Sequence, residues 1–179
     1  MVKTHREPAQ MRFKGTVFDL ETIGEFNDKY QSWETERYAD HKPTIFGYIT
    51  NGVLLQYCAE GYREIEKIIR IMNDTLPNLD EPFYVFNCHF ERGVCTHSCT
   101  NVPVIMIDVR DNKYHGSKWD IREQLGIPTY DDPFDGSGYR CMIEWQNKNY
   151  DDCLKHNRAC LLIERDIYEH AKGIRHPPP

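Results

Sequence analysis

In the run Val17-Phe18-Asp19-Leu20-Glu21-Thr22, two carboxylates stand two residues apart at the end of an apolar stretch. The residues leading in, Phe13, Val17 and Phe18 with Gly15 between them, read as a buried strand about to end. Successive residues of a strand alternate faces, so Asp19 and Glu21 project together while Leu20 turns the other way. Two converging carboxylates repel each other and cost desolvation energy, and a cation relieves both penalties. Mg²⁺ and Mn²⁺ are hard ions that take such oxygen ligands and serve phosphate chemistry. Taken alone, the pair is better explained by a strand running out into a solvated acidic turn, since D-x-E is common by chance.

Two more apolar segments end in polar clusters. Phe83-Tyr84-Val85-Phe86 runs into Asn87-Cys88-His89-Phe90-Glu91, and Val104-Ile105-Met106-Ile107 runs into Asp108. Three strands ending this way would gather ligands at one edge of a mixed sheet, where α/β folds usually place their sites. Asp108 is the weaker candidate, because an Asp at a strand end is often only a cap or turn residue. On the final helix His156 and Cys160 are four residues apart, with Cys153, Asn157 and Leu161 on the same side. A satisfied buried His or Asn would account for polar groups in that stripe. A catalytic reading instead puts His156 or Asn157 on substrate or attacking water, and residue 160 at a metal.

The order F-D-L-E-T, then F-N-x-x-F-E, then Lys155-His156-Asn157-Arg158-Ala159-Cys160-Leu161 resembles the DEDD superfamily of 3′–5′ exonucleases. The resemblance is nearest to prokaryotic predicted exonucleases with a ribonuclease-H-like fold, and it covers roughly residues 12–172. It implies an α/β fold: a mixed five-stranded sheet with helices on both faces, and tails at 1–11 and 173–179. It also implies hydrolysis of phosphodiester bonds at single-stranded DNA or RNA 3′ ends. The expected cofactors are two Mg²⁺ or Mn²⁺ ions, about 3.5–4 Å apart, held by Asp19, Glu21, Glu91 and the residue at position 160. His156 would orient or deprotonate the water. Asn87 and Asn157 would bind substrate, while Phe90 packs beneath the site.

The third motif departs from the family's H-N-x-x-D, because Cys160 stands where the fourth acidic ligand belongs. A thiol is soft and mostly uncharged at neutral pH, a poor match for Mg²⁺. Three readings follow. The site is weakened or dead, leaving a nucleic-acid-binding module; or Glu164 or another carboxylate substitutes; or Cys160 is an altered residue in an active enzyme.

With 179 residues, 40% of them hydrophobic, the chain can bury one substantial core but not two. A net charge of −6 argues against a basic coat protein for nucleic acid, though not against an enzyme holding phosphates through metals. Arg92, Lys155 and Arg158 could guide a strand, or be ordinary surface charge. No apolar run suits a membrane span, and the basic N-terminus lacks the apolar region of a signal peptide. Seven cysteines without a disulfide pattern suit a reducing cytosol, so a cytoplasmic location is expected. Cys88, Cys95, His97 and Cys99 raise a zinc site, but they lack the usual paired spacing and read better as small buried hydrophobes.

The elements that must position these residues follow from periodicity. A strand is expected at about 12–20, then a loop through Asp40. Strands at Thr44–Thr50 and Val53–Cys58 should be joined tightly at Asn51-Gly52. Glu64–Leu76 carries Ile65, Ile68, Ile69 and Met72 on one face and reads as a helix. Strands at 83–87 and 104–108 follow, the first leading into a short helix that carries Glu91. Helices are expected at Trp119–Leu125, Tyr139–Trp145 and Asp151 to about Ala171, with a loop at Asp131–Gly138. The tail His176–Pro179 cannot be helical.

Overall fold

The computed structural model describes residues 1–110 and 114–174. The tail His176–Pro179 lies outside them. Six strands, β1 (Val2–Pro8), β2 (Thr16–Ile23), β3 (Lys42–Thr50), β4 (Val53–Ala59), β5 (Phe83–Val85) and β6 (Met106–Asp108), form one mixed sheet in the order β1-β4-β3-β2-β5-β6. Five α-helices accompany it among the described residues: α1 (Ile65–Thr75), α2 (Cys88–Ser98), α3 (Lys118–Gln124), α4 (Gly138–Gln146) and α5 (Tyr150–Ala171). The α/β class is as expected, but the sheet has six strands, not five.

The sixth strand is β1, which lies in the expected N-terminal tail and pairs antiparallel with β4 over its full length. Its sequence, VKTHREP, has no apolar alternation, because it is an edge strand only partly covered on either face. Charged residues suit that position, since they discourage pairing with another chain. The hairpin between β3 and β4 turns at Asn51 and Gly52, both with positive φ (48° and 77°), as a tight two-residue turn requires.

β2 lies centrally, antiparallel to β3 and parallel to β5. Its alternation divides the core. Phe18 and Leu20 join Phe46, Ile68, Met72 and Val94 on the face covered by α1 and α2. Val17 joins Ile49, Leu161, Ile163 and Ile167 on the face covered by α5. Asp19 and Glu21 share that second face, so the longest helix lies over the acidic end of the central strand. β6 is shorter than expected; Val104 and Ile105 precede it and are exposed. No helix among the described residues is long and apolar enough to cross a membrane.

Candidate metal centre

Asp19 and Glu21 are both buried beneath α5. Asp19 sits opposite Gly47 of β3, and the missing side chain there is what lets the helix approach. A Cβ on Gly47 would lie 2.2 Å from Asn157 Oδ1 and 2.8 Å from Leu161 Cδ1. Asn157 uses that space to donate to Asp19 Oδ2 at 2.7 Å, while its own Oδ1 accepts from Gln56 Nε2 at 2.7 Å. Gln56 also donates to the Leu154 carbonyl at 3.0 Å, so β4, α5 and β2 are tied through one amide pair. Asn157 is fully buried. Its place is therefore behind Asp19, as a positioning residue, rather than against a substrate.

Cys160 comes down one turn later. Donor atoms of Asp19, Glu21 and Cys160 all lie within 4.8 Å of one another, and so do those of Glu21, Cys141 and His156. The Asp19 and Glu21 oxygens fit a hard divalent ion, but the thiol does not. Burial pushes the Cys160 thiol up to about 11, leaving it neutral at neutral pH. Burial also pushes Glu21 up to about 7, against the pull of His156.

His156 is held from both sides. Nδ1 lies 2.8 Å from Asp132 Oδ1, and Nε2 faces Glu21 Oε1 at 3.5 Å and Cys160 Sγ at 3.8 Å. The ring stacks over Trp119 at 6.1 Å and contacts Phe134. Burial alone would discharge it. The Glu21 carboxylate and the Asp132 hydrogen bond oppose that effect, and its pKa is raised. Nδ1 is thus taken up by Asp132, and Nε2 is the ring atom turned toward Glu21 and Cys160. Asp132 is itself fixed by the backbone N–H groups of Phe134 (2.9 Å) and Gly136 (2.7 Å), so the turn-rich loop before α4 is built around it.

Glu91 lies in the first turn of α2 and is buried, with Oε2 lacking any hydrogen-bond partner. Burial first, then the charge of Asp19, hold its carboxyl well above the usual range. It is therefore an electrostatic neighbour of Asp19, although it belongs to neither of the tight donor groups found among the described residues. Asn87 is exposed at the N-cap of α2. Asp108 accepts from the Arg110 backbone at 2.9 Å and pairs with its guanidinium, the turn role. Lys155 pairs with Asp152 and Arg158 with Glu7, while Arg92 is exposed. Cys95 lies on α2, Cys99 caps its C-terminus and His97 is exposed; with Cys88 they form no close donor group among the described residues.

Lys118 is the residue that spacing gave no reason to choose. It opens α3 and places Nζ 3.0 Å from Asp19 Oδ1 and 2.5 Å from Glu164 Oε1. Glu164 is fully buried and its second oxygen has no partner. A local signal for the lysine's position did exist: Ser117 and Asp120 form a capping box that fixes the start of α3. Comparison with protein families, with curated proteins and with solved structures finds no match to this chain, so the site stands on its own residues and geometry.

Proposed function

We propose that the chain is a metal-dependent phosphodiester hydrolase of the 3′–5′ exonuclease type, acting on single-stranded nucleic acid ends. The observation that carries this reading is the convergence of Asp19, Glu21 and residue 160 from β2 and α5, with all three donor atoms within 4.8 Å. The sheet supports it as well. An antiparallel pair, β3 and β4, flanks one side of β2, and parallel strands β5 and β6 flank the other. That arrangement suits a ribonuclease-H-like core to which β1 is an edge addition.

Asp19 and Glu21 would hold a Mg²⁺ or Mn²⁺ ion, with Glu91 beside them. When bound, such an ion supplies positive charge to a phosphate and a water of lowered pKa. Asn157 fixes Oδ2 of Asp19, and Lys118 pairs with its Oδ1. Asp132 sets the tilt of His156, whose Nε2–H then steadies Glu21. Asn87, exposed at the N-cap of the helix that bears Glu91, would meet a nucleotide.

The neutral thiol of Cys160 favours a second reading, a nucleic-acid-binding module that has lost turnover. One experiment separates them: degradation of a labelled single strand with Mg²⁺ or Mn²⁺, alongside binding measured in chelator. Metal-dependent degradation, abolished by Asp19→Asn or Glu21→Gln in folded protein, supports the hydrolase. Binding without degradation supports the module. Neither binding nor degradation overturns both.

A further inference from the structure

Lys118 has an arrangement that an ordinary surface lysine does not need. Its side chain is 12% exposed, and its ammonium is clamped between Asp19 of β2 and Glu164 of α5. A buried ammonium is retained only where carboxylates compensate it closely. Asp19 Oδ1 at 3.0 Å and Glu164 Oε1 at 2.5 Å supply that compensation here. Asp19, Glu91 and Lys118 all act electrostatically on Glu164. Glu91 Oε2 and Glu164 Oε2 are both buried without a hydrogen-bond partner, so the carboxylates around the ammonium retain unused acceptor capacity.

We propose that the Lys118 ammonium stands in a cation position that a second divalent ion would otherwise take, so that the site accepts one ion, on Asp19 and Glu21, and not a pair. The inference rests on the hydrolase reading of the same carboxylates and assigns its cation count. It also accounts for Cys160. Glu164, one turn further along α5, supplies a carboxylate and Lys118 neutralises it, so residue 160 has no second ion to hold. Without an ion on Asp19 and Glu21, a carboxylate at 160 would add a third negative group beside theirs. Lys118 also lies 5.5 Å from the Phe86 ring centroid, a contact that holds the ammonium in place and that a hydrated metal ion would not make in the same way.

The test is Mn²⁺ stoichiometry, measured by calorimetric titration and by electron paramagnetic resonance on the full chain. Wild type should bind one Mn²⁺ per chain, with an uncoupled signal. Lys118→Met should bind two, with a signal broadened by coupling between ions. Lys118→Arg, which keeps the charge, should stay at one. Adding Glu164→Gln to Lys118→Met should remove the second ion again. Should Lys118→Met fail to fold, Lys118→Gln keeps a donor toward Asp19 and Glu164 without the charge, and it carries the same expectation. Two ions in wild type, or one ion in a folded uncharged variant, overturns the inference. A wild type that binds one ion but degrades no strand removes the hydrolase reading and leaves the cation count standing. No ion in any of these proteins overturns both.

Discussion

Replacing Cys160 with Asp tests whether the position is a lapsed ligand or a core residue. The thiol lies within 4.8 Å of donor atoms on both Asp19 and Glu21, so the substitution puts a third carboxylate against two others. At an effective dielectric of about 20, each such pair repels by roughly 3–4 kcal/mol. His156 Nε2, 3.8 Å from the present sulfur, and the Lys118 ammonium offset part of that. A net cost of about 2–4 kcal/mol is therefore expected without metal, which lowers Tm by roughly 5–15 °C in a domain of this size. Mn²⁺ reverses the sign, because three hard oxygens now surround one divalent ion where two did before.

The assay is a pair of thermal melts, in chelator and in Mn²⁺, on wild type and Cys160→Asp, with strand degradation measured on the same samples. A ligand present at a hundred times its Kd stabilises the folded state by about 2.7 kcal/mol, so the metal-induced rise should be several degrees and larger in the variant. Turnover should rise with it. A variant that melts lower in chelator, gains no more from Mn²⁺ than wild type and degrades no faster would refute the reasoning. Cys160 would then be a buried small residue to which a charge had been added.

Gly47→Ala should lower stability by roughly 1–3 kcal/mol, the usual cost of forcing atoms into a packed core, since its Cβ would meet Asn157 Oδ1 at 2.2 Å. It should also weaken metal binding, because Asn157 would be pushed off Asp19; titration and melting on one sample check both. Asn157→Ala leaves Asp19 Oδ2 without its donor and should cost about 1–3 kcal/mol in denaturant melts. Asp132 has its carboxyl held below the usual range because the His156 and backbone hydrogen bonds outweigh burial. A depressed acid stabilises above its unfolded value near 3.8 and loses that contribution as pH falls further. His156, whose pKa is raised, contributes fully below its ordinary 6.5 and progressively less as pH climbs beyond it. Asp132→Asn should therefore flatten both limbs of the stability–pH curve, and an unchanged acid limb would count against the pairing.

The parts of the fold that were legible in the sequence are those whose cause is local. Asn51-Gly52 announces its hairpin because both residues must take positive φ, and Ile65, Ile68 and Met72 announce α1 because one apolar stripe faces the core. The carboxylate pair on β2 was visible for the same reason, since strand alternation alone puts Asp19 and Glu21 on one face. β1 was not visible: an edge strand of Lys3, His5, Arg6 and Glu7 gains its place from pairing with β4, which no local pattern encodes. The ties around the site are also long-range. Lys118 is 99 residues from Asp19, and Gln56 is 101 from Asn157. Glu164 was half-legible, since it repeats the four-residue spacing of His156 and Cys160, but nothing in that spacing says that a lysine from another helix will meet it.

Glu91 bears most directly on why so many carboxylates are buried here. Asp19, Glu21, Glu91 and Glu164 are each at least nine-tenths buried, and Lys118 and His156 lie among them as counter-charges. Buried ionisable groups that lack full compensation cost stability, and uncharged replacements often restore it. Glu91 is the least compensated: burial holds its carboxyl well above the usual range, and Oε2 has no partner. For an acid raised this way the folded state is penalised at neutral pH, so the penalty should disappear when the charge does. Glu91→Gln should therefore melt higher than wild type in chelator at pH 7, by about 2–4 °C per kcal/mol recovered. In Mn²⁺ the order should reverse or the gap should close, because the carboxylate's cost is then offset by the ion. A variant that melts lower in chelator would show that Glu91 is held for the fold itself, and the case for a ligand drawing these carboxylates together would lose its strongest member.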